Sequence, residues 1–523
     1  MADQKASQRV IKNIFFSLYN KCFGFILVFF TSVYVARTLG PEKLGIYSYV
    51  LWFVSIITTI LGMGLMTALA KYISEFEGEK RRDLIEGIIA YVLRVEIVLS
   101  CIVSIPLFVF RNFIADLSFT PKEGIYFGIV FLGILPGMVS SVLCASVQGL
   151  QQFKYFTYFS LIISPLGVAA KILSLYLGFG IFGLLVIQFG FSLINVLFYL
   201  VVLQKRGIRV RIHGAAIDKK IKKRITKFNL TTFGIVLFDF IIWDKSETFF
   251  LGRFCRSDQI AFYSLPFNIV KRFMYILPQI FWEVLLPAMS DFHGKRDNYR
   301  LKRTYYLACR YIAFASWPVG VAGIVLAFPF LKYVYGTEFV GAENVLQILF
   351  LAAIIVSLDS PSGALLFAAE RQAIIIKIST LLAIMNIIMD LILIPKFGAI
   401  GAAICNATVQ ILGSIIGLIY VYRVFGIVYP IKSVSKIVFS SVFMGVVMFV
   451  VFKAEPTLLG FFVSIITGIF IYLVSCVVMG SFEEEDLEIL NRGLDVLPAS
   501  AAGFLRLPID YLAKQKDIKK NGI

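Results

Sequence analysis

The sequence predicts an all-α polytopic membrane protein with about fourteen transmembrane helices, and three observations point to this fold class. Of its 523 residues, 59% are hydrophobic and only 16% are charged, whereas a soluble domain carries about 45–50% and about 25%. Long apolar runs such as residues 45–70 contain no charged side chain, and they exceed the roughly 20 residues that a transmembrane helix needs. The strands of a membrane barrel would instead be about 10 residues long and alternating.

Charged or glycine- and proline-containing breaks separate fourteen apolar windows, each of which predicts a membrane span. An even number of spans places both ends of the chain on the same side of the membrane. The spans cover residues 13–36, 45–70, 87–110, 124–148, 157–177, 181–203, 228–251, 261–289, 305–328, 344–368, 378–395, 399–421, 437–452 and 458–479.

The distribution of basic residues indicates on which side of the membrane both ends of the chain lie. If the N-terminus is cytoplasmic, 34 of the 50 lysines and arginines fall in cytoplasmic segments, as the positive-inside rule requires. We therefore expect a multi-pass protein of the plasma (inner) membrane with both termini in the cytoplasm. The densest basic segment, 205–227, lacks interleaved aromatic residues, so we interpret it as a loop held against anionic membrane lipids and expect no nucleic-acid partner.

Cysteine and histidine usage argues against metal centres and catalysis. The seven cysteines show no CxxC spacing, and the two histidines, His213 and His293, lie in polar loops. No GxxxxGK[ST] motif for ATP hydrolysis is present, and no outward loop is long enough to form a domain. We expect a transporter rather than an enzyme, with no catalytic residue, no metal site and no cofactor.

The chain contains an internal repeat. Residues 44–80 match 260–296 at a constant offset of 216, and FGIFG (179–183) matches FGAIG (397–401) at 218. Because six spans separate equivalent helices, the two copies have the same orientation, and transporters built from such repeats bind substrate between them. The predicted organisation is an N-terminal six-helix bundle (1–207), a basic cytoplasmic linker (208–227), a second six-helix bundle (228–426), spans 13 and 14 (427–479) and a cytoplasmic tail (480–523).

Three stretches resemble the polysaccharide transporter, or O-antigen-type oligosaccharide flippase, branch of the multidrug/oligosaccharidyl-lipid/polysaccharide (MOP) flippase superfamily. They are VARTLGPEKLGIYSY (35–49), WDK with FFLGRF and AFYSL (243–265), and EEEDLEIL (483–490). In that branch an aspartate followed by a basic residue precedes a Leu-Gly turn after span 7, and Asp244, Lys245 and Leu251-Gly252 match. The arrangement of six, six and two spans is also similar.

The resemblance implies a function and partners. It implies that the chain flips a polyprenyl-diphosphate-linked oligosaccharide from the cytoplasmic to the outer face of the membrane by alternating access. This would serve surface polysaccharide or glycan biosynthesis, beside other polysaccharide-assembly proteins. Coupling to Na⁺, to H⁺ or to the membrane potential stays open. So do three other functions: a lipid II flippase, a drug/cation antiporter of the same superfamily, and a polytopic glycan polymerase or ligase.

Basic side chains inside the spans are candidates for binding the diphosphate headgroup. A charge at the centre of a span costs at least about 2.5–3.5 kcal/mol, so such residues should face protein or a water-filled cavity. Spans 1, 2, 7 and 8 line the cavity in the family that the chain resembles, and arginine and lysine are suited to holding phosphates. The candidates are Lys21, Lys271 and Arg272, with Lys245 as a fourth.

Acidic side chains in span 7 are candidates for ion coupling or gating. Asp239, Asp244 and Glu247 fall within roughly 140° of one helix circumference. The alternative is structural, because the spans contain seven acidic and seven basic residues that could neutralise one another in internal ion pairs. Lys171, Arg310 and Asp390 lie near span ends, where we expect their side chains to reach the interface.

Overall fold

The computed structural model describes residues 2–62, 64–211, 222–224, 226, 246–483 and 486, and it describes side chains from residue 23 onward except at 153, 160, 276, 277, 283 and 372. Across these residues the regular elements are all helical, which confirms the all-α prediction. The calls on Asp239, Asp244 and Lys245 lie outside the described residues, and so does the side chain of Lys21.

Seven helices make up the first part of the chain. They are α1 (Ala2–Gly62), α2 (Leu65–Gly78), α3 (Arg82–Val109), α4 (Arg111–Asp116), α5 (Gly124–Gly149), α6 (Phe153–Tyr176) and α7 (Gly180–Lys205).

Nine helices and two irregular turns follow the linker. The helices are α8 (Glu247–Phe254), α9 (Ser257–Gly294), α10 (Asn298–Val325), α11 (Ala327–Phe330), α12 (Glu343–Ser357), α13 (Ser360–Ala368), α14 (Gln372–Phe425), α15 (Ile431–Ala454) and α16 (Leu458–Val478). A π-helical turn, Leu331–Tyr335, and a 3₁₀ turn, Thr337–Ala342, connect α11 to α12.

Ten helices of the described chain are long and apolar enough to cross a membrane, or eleven if the bent pair Ser257–Tyr275 and Pro278–Gly294 counts as one span. Many of their apolar side chains are exposed, as expected where lipid rather than water is the neighbour. On α16, for example, Ile466 is 69% and Phe470 is 65% exposed.

Two of these helices are too long for one crossing. The 61 residues of α1 would extend about 90 Å at about 1.5 Å per residue, three times the hydrocarbon thickness of about 30 Å. Each of these two helices contains one glycine whose backbone dihedral angles are not helical. They are Gly40 (φ 69°) in α1 and Gly398 (φ 56°) in α14. These breaks fall between the predicted spans 1 and 2 and the predicted spans 11 and 12. The total of fourteen stays a prediction, because most of span 7 lies outside the described residues.

Contacts within the chain divide it into two compact units. The first comprises Met1–Ile269, Leu331–Val345 and Ala373–Val409, and the second comprises Val270–Phe330, Leu346–Gln372 and Gln410–Ile523. In the first unit α5 packs against α3 and α7, and α1 packs against α6. In the second unit α10 packs against α15, and α15 packs against α16. The predicted bundle and linker boundaries stay predictions.

Candidate functional site: a buried cluster of carboxyl and amide groups

A cluster of polar side chains lies buried in the first compact unit, where an apolar interior would be expected. Its members come from the start of α8, from α9 and from both halves of α14, and each is at most 3% exposed. They are Glu247, Tyr263, Asn386, Asp390, Cys405 and Asn406.

Glu247 is the centre of this cluster. The Tyr263 hydroxyl donates to its Oε2 at 2.8 Å, and the Asn406 Nδ2 donates to its Oε1 at 3.0 Å. The Asn386 Nδ2 lies 3.4 Å from the same Oε1. Glu247, which is fully buried, therefore accepts hydrogen bonds from three neutral donors on two helices.

Asp390 is connected to Glu247 through Asn386. The Asn386 Nδ2 also donates to Asp390 Oδ2 at 3.2 Å and to the Ser246 hydroxyl at 2.9 Å. Residues four apart on a helix share a face, so Asn386 and Asp390 project together toward Glu247. Cys405, on the second half of α14, is also fully buried.

The break at Gly398 brings the two halves of α14 to the same site. After Gly398, the amide of Ala399 donates to Gln259 Oε1 at 3.1 Å, which ties the turn to the start of α9. A Cβ at Gly401 would lie 2.5 Å from the Leu393 carbonyl oxygen, so the two halves meet backbone to backbone. Asn386 and Asp390 before the turn and Asn406 after it can therefore converge.

The cluster has two acidic groups and no cationic partner among the described residues. Asn386 Oδ1 and Asp390 Oδ1 are buried without a hydrogen-bond partner in that part of the chain. Burying a charged carboxylate without compensation is strongly unfavourable, and two neighbouring carboxylates disfavour each other's charge. Within the described part of the chain, the two carboxyl groups face neutral hydrogen-bond donors, and a proton or a bound cation would offset the cost of burying them.

The donor set suits one small hard cation or a proton. Carboxylate and amide oxygens are the ligands of hard cations, whereas thiolate and imidazole select transition metals. Over the described ranges, no group of three or more histidine, cysteine, aspartate and glutamate side chains is arranged to hold a metal ion. Chemically, the arrangement can exchange Na⁺ or H⁺.

Of the sequence-predicted residues, Glu247 lies in this cluster. Lys271 and Arg272 lie on α9, in the part that belongs to the second unit. Lys271 is exposed and Arg272 is half-buried. Both lie one turn before the 45° bend of that helix between Tyr275 and Pro278.

Sequence reasoning overlooked the neutral members of the cluster. Asn386 and Asn406 carry no charge, so a search for ionisable residues passed over them, although an amide within an apolar span is itself a signal.

The expectation for Asp390 was wrong: its side chain is fully buried rather than at an interface. The reason is that α14 continues past residue 395 to the break at Gly398, so Asp390 lies inside the helix, bonded to Asn386 of the buried cluster.

A second buried charged cluster lies in the second unit, around Arg310 on α10. The guanidinium Nη2 lies 2.7 Å from Asp486 Oδ2 and 3.0 Å from the Ser481 carbonyl oxygen, and Nη1 lies 3.0 Å from Glu483 Oε2. The hydroxyls of Tyr306 and Tyr311 donate to Glu483 and Asp486 at 2.5 and 2.9 Å. The expectation that Arg310 reaches the interface was also wrong, since it is 3% exposed and neutralised by the start of the tail.

Known proteins share both sequence and fold with this chain. The model of a family described as "Polysaccharide biosynthesis protein" matches residues 34–344. An uncharacterized membrane protein of Methanocaldococcus jannaschii is 21% identical over 76% of this chain and 81% of that protein. The probable flippase AglR of Haloferax volcanii is 26% identical over 40% of this chain and 44% of its own length. The lipopolysaccharide biosynthesis protein WzxC of Escherichia coli is 25% identical over 32% and 34%. The matched segments thus cover less than half of the length of AglR and of WzxC.

Solved structures with the same fold include two transporters. The lipid II flippase MurJ, in an inward closed conformation, superposes with a TM-score of 0.69 at 19% identity, covering 90% of this chain and 98% of that chain. An inward-facing multidrug resistance transporter of the MATE family, in the MOP superfamily, gives 0.60 at 14% identity, with coverages of 76% and 94%. At these identities the similarity shows the fold alone.

Proposed function

Because the chain belongs to the polysaccharide biosynthesis protein family, as its resemblance to that branch of the MOP superfamily predicted, we propose that it is a flippase for a polyprenyl-diphosphate-linked oligosaccharide. The observation that carries this proposal is the family match across residues 34–344, more than half of the chain. Relatives named as a probable flippase and as a lipopolysaccharide biosynthesis protein support it, as does a fold shared with transporters.

The buried cluster supplies a route to energy coupling. Glu247 and Asp390 hold a proton or a Na⁺ ion in one conformation of the transporter and release it in another. Binding a cation there changes the charge at the junction of α8, α9 and α14, and it therefore favours one packing of these helices over another. Asp239 and Asp244, which precede Glu247 in the chain, are assigned to the same coupling or gating role.

Cationic side chains hold the diphosphate. Lys271, Arg272, Lys21 and Lys245 are assigned to this role, because arginine offers two parallel donors to a phosphate and lysine a compact charge. The headgroup then crosses by alternating access while the lipid tail stays in the bilayer. The chain acts in the plasma membrane with both termini in the cytoplasm, beside other polysaccharide-assembly proteins.

The test is flipping by the purified protein in proteoliposomes that contain a fluorescent polyprenyl-diphosphate oligosaccharide. We expect the fraction of fluorophore that an external quencher reaches to rise faster than in protein-free liposomes. A lipid II arm is run in parallel, since the similarity to MurJ favours lipid II as a second candidate substrate. Flipping of lipid II alone would replace the proposal with this alternative, and flipping of neither would contradict both.

The diphosphate assignment has its own test. Replacing Lys271 and Arg272 with alanine should abolish flipping while the protein remains folded and inserted. Lys295 and Arg296 form a matched control, because they are also an adjacent lysine and arginine but lie exposed at the end of α9. Unimpaired flipping by the Lys271/Arg272 variant would remove these residues from the site without affecting the flippase proposal.

A further inference from the structure

A single buried carboxyl lies in the first compact unit, on α3, which contributes nothing to the cluster around Glu247. It belongs to Glu96, which is 0% exposed, and neither of its carboxyl oxygens has a hydrogen-bond partner among the described residues. Glu96 lies halfway along α3 (Arg82–Val109), about 20 Å from either end at about 1.5 Å per residue. The carboxyl is therefore close to the middle of the predicted span.

The packing of α3 shows what kind of surroundings bury this carboxyl. Glu96 continues a buried stripe that holds Val92 one turn before it and Ser100 one turn after it. Val92 belongs to a hydrophobic core that also contains Val142 and Leu143 of α5, and α3 packs against α5. Glu96 thus extends an apolar helix interface.

The hydroxyl of Ser100 is also buried, and it too has no hydrogen-bond partner within the described part of the chain. A buried serine in a helix can bond to the carbonyl four residues earlier, as Ser146 does to Val142 at 2.8 Å. Residues four apart share a helix face, so Ser100 and Glu96 present their polar groups on the same side of α3. A protonated carboxyl can donate and a hydroxyl can accept, so this pair suits a neutral glutamic acid.

Charged groups nearby do not neutralise Glu96. Arg94, two residues earlier, lies about 200° around the helix, and its Nε donates to the Ala90 carbonyl at 3.3 Å. The helices α1, α2, α4 and α5 pack against α3. Among the described side chains, the titratable or charged groups of these helices and of the membrane part of α3 do not hydrogen-bond to Glu96. They are Tyr34, Arg37, Glu42, Lys43, Tyr47 and Tyr49 on α1, Lys71, Tyr72, Glu75 and Glu77 on α2, Arg111 and Asp116 on α4, Tyr126 and Cys144 on α5, and Tyr91 and Cys101 on α3.

The second copy of the repeat shows that packing does not require a carboxyl at this position. Helices α3 and α10 have the same length of 28 residues, and they begin at the repeat offset of 216, at Arg82 and Asn298. At that offset Glu96 corresponds to Ile312, which is also 0% exposed. An ionisable side chain buried within a membrane span, where an isoleucine packs as well, indicates a functional role.

We propose that Glu96 is a proton-binding site of the first unit, protonated in this structure and exchanging its proton with water as α3 repacks against α5 during transport. Burial without a partner favours the neutral carboxyl, and hydration favours the carboxylate. Proton binding and helix packing are therefore linked. On release the carboxyl O–H bond breaks, its electron pair stays on Glu96 and water takes the proton. The inference rests on the proposed function for its role in transport.

Infrared spectroscopy of the reconstituted protein across a pH series tests the proton site without substrate. A protonated carboxyl has a C=O stretching band that a carboxylate lacks. Glu96→Gln should remove one component of that band at neutral pH, together with its loss at alkaline pH. The matched control is Glu86→Gln, on the same helix, because Glu86 is half-buried and accepts from the Arg209 amide at 2.8 Å. The control should keep the component.

A second variant covers the case in which Glu96→Gln fails to fold. Glu96→Ile copies the residue of the second repeat, and it should remove the same component of the band. The proton site is overturned if the band at neutral pH is unchanged in the folded variant, since Glu96 would then be ionised. It is also overturned if Glu86→Gln loses the component equally.

Flipping under an imposed pH gradient tests the coupling role, with the fluorescent polyprenyl-diphosphate oligosaccharide in proteoliposomes. The gradient should accelerate flipping by the unmodified protein and by Glu86→Gln, and the ratio of rates with and without it should fall to about one in Glu96→Gln. Full acceleration in Glu96→Gln, or none in an unmodified protein that flips, would overturn the coupling role. If the infrared component titrates but no flipping occurs, the proton site stands and the flippase proposal fails.

Discussion

Each compact unit contains one buried cluster of acidic side chains, and the two clusters differ in the groups that face the carboxylates. In the second unit, Glu483 and Asp486 surround Arg310, with their oxygens 3.0 and 2.7 Å from its guanidinium nitrogens. In the first unit, Glu247 and Asp390 receive hydrogen bonds from Asn386, and Glu247 also from Tyr263 and Asn406.

On this difference we base a proposed structural role for the Arg310 cluster and a proposed coupling role for the Glu247 cluster. In the second unit Arg303 also lies 3.7 Å from Glu483, so two cations face two carboxylates. The contact between Arg310 and residues 483 and 486 therefore fastens the start of the tail to α10. The cluster around Glu247 pairs two carboxyls with neutral donors among the described residues. This is the basis of our proposal that it takes up and releases a proton or a cation during transport.

The internal repeat sharpens the comparison, because neither cluster has a counterpart in the first bundle. At the offset of 216, Arg310 corresponds to Arg94, whose Nε donates to the Ala90 carbonyl of its own helix at 3.3 Å. Glu247 corresponds to Thr31, whose hydroxyl donates to the Leu27 carbonyl at 2.7 Å. At these two positions the copies of the repeat therefore differ, and the start of the tail supplies the acids that face Arg310.

The largest expected effect is on stability at Arg310. Arg310→Met removes the cation that pairs with the buried Asp486 and leaves that carboxylate without a charge partner, which should destabilise the protein by about 3–5 kcal/mol. Adding Glu483→Gln and Asp486→Asn to that variant should restore most of the loss, because no uncompensated charge remains. Thermal unfolding in detergent measures both. A triple variant as unstable as the single variant would show that the cluster is held by something other than charge pairing.

The next effect is on cation-dependent stability at Glu247. A site-specific cation at 100 times its Kd should stabilise the folded protein by about 2.7 kcal/mol, and Glu247→Gln should abolish this dependence and coupled flipping. Glu483→Gln is the matched control, since it makes the same change in the other cluster and should keep the cation response. A Na⁺-independent but pH-dependent stabilisation of the unmodified protein would identify the proton as the ligand. An equal response in Glu247→Gln would contradict the assignment.

A smaller effect is expected at Asn386, which bridges the two carboxyls without contributing charge. Asn386→Ala should weaken cation binding about tenfold, the lower end of the range for side chains that orient ligands, while leaving the protein folded. Isothermal titration with NaCl, or with acid at fixed salt if the ligand is the proton, measures the change. A loss as complete as that of Glu247→Gln would make Asn386 an essential ligand rather than an orienting residue.

The smallest effect is expected at an exposed ion pair that resembles the Arg310 cluster in chemistry alone. Arg224 in the linker lies 2.9 Å from Glu75, and hydrogen bonding to Glu75 raises the pKa of Arg224. Because water screens exposed pairs, Arg224→Ala should leave the unfolding midpoint unchanged. A shift comparable to that of Arg310→Met would show that burial does not govern these pairs.

The sequence by itself determined the features that depend on local composition. Apolar runs predicted membrane helices, since a bilayer accepts no other continuous backbone there, and the breaks between spans 1 and 2 and between spans 11 and 12 fall at Gly40 and Gly398. The charge of Glu247 in an apolar span was also visible. Each of these follows from residues close together in the chain.

Only the tertiary structure decided which distant residues meet. Glu247 accepts from Asn406, 159 residues away, and Arg310 pairs with Asp486, 176 residues away. Arg37 donates to the Val334 carbonyl, 297 residues away. Hydropathy reports whether a side chain favours an apolar environment and carries no information about its neighbours. Neutral partners such as Asn386, and the contacts of Arg310 and Asp390, therefore depend on how the helices pack.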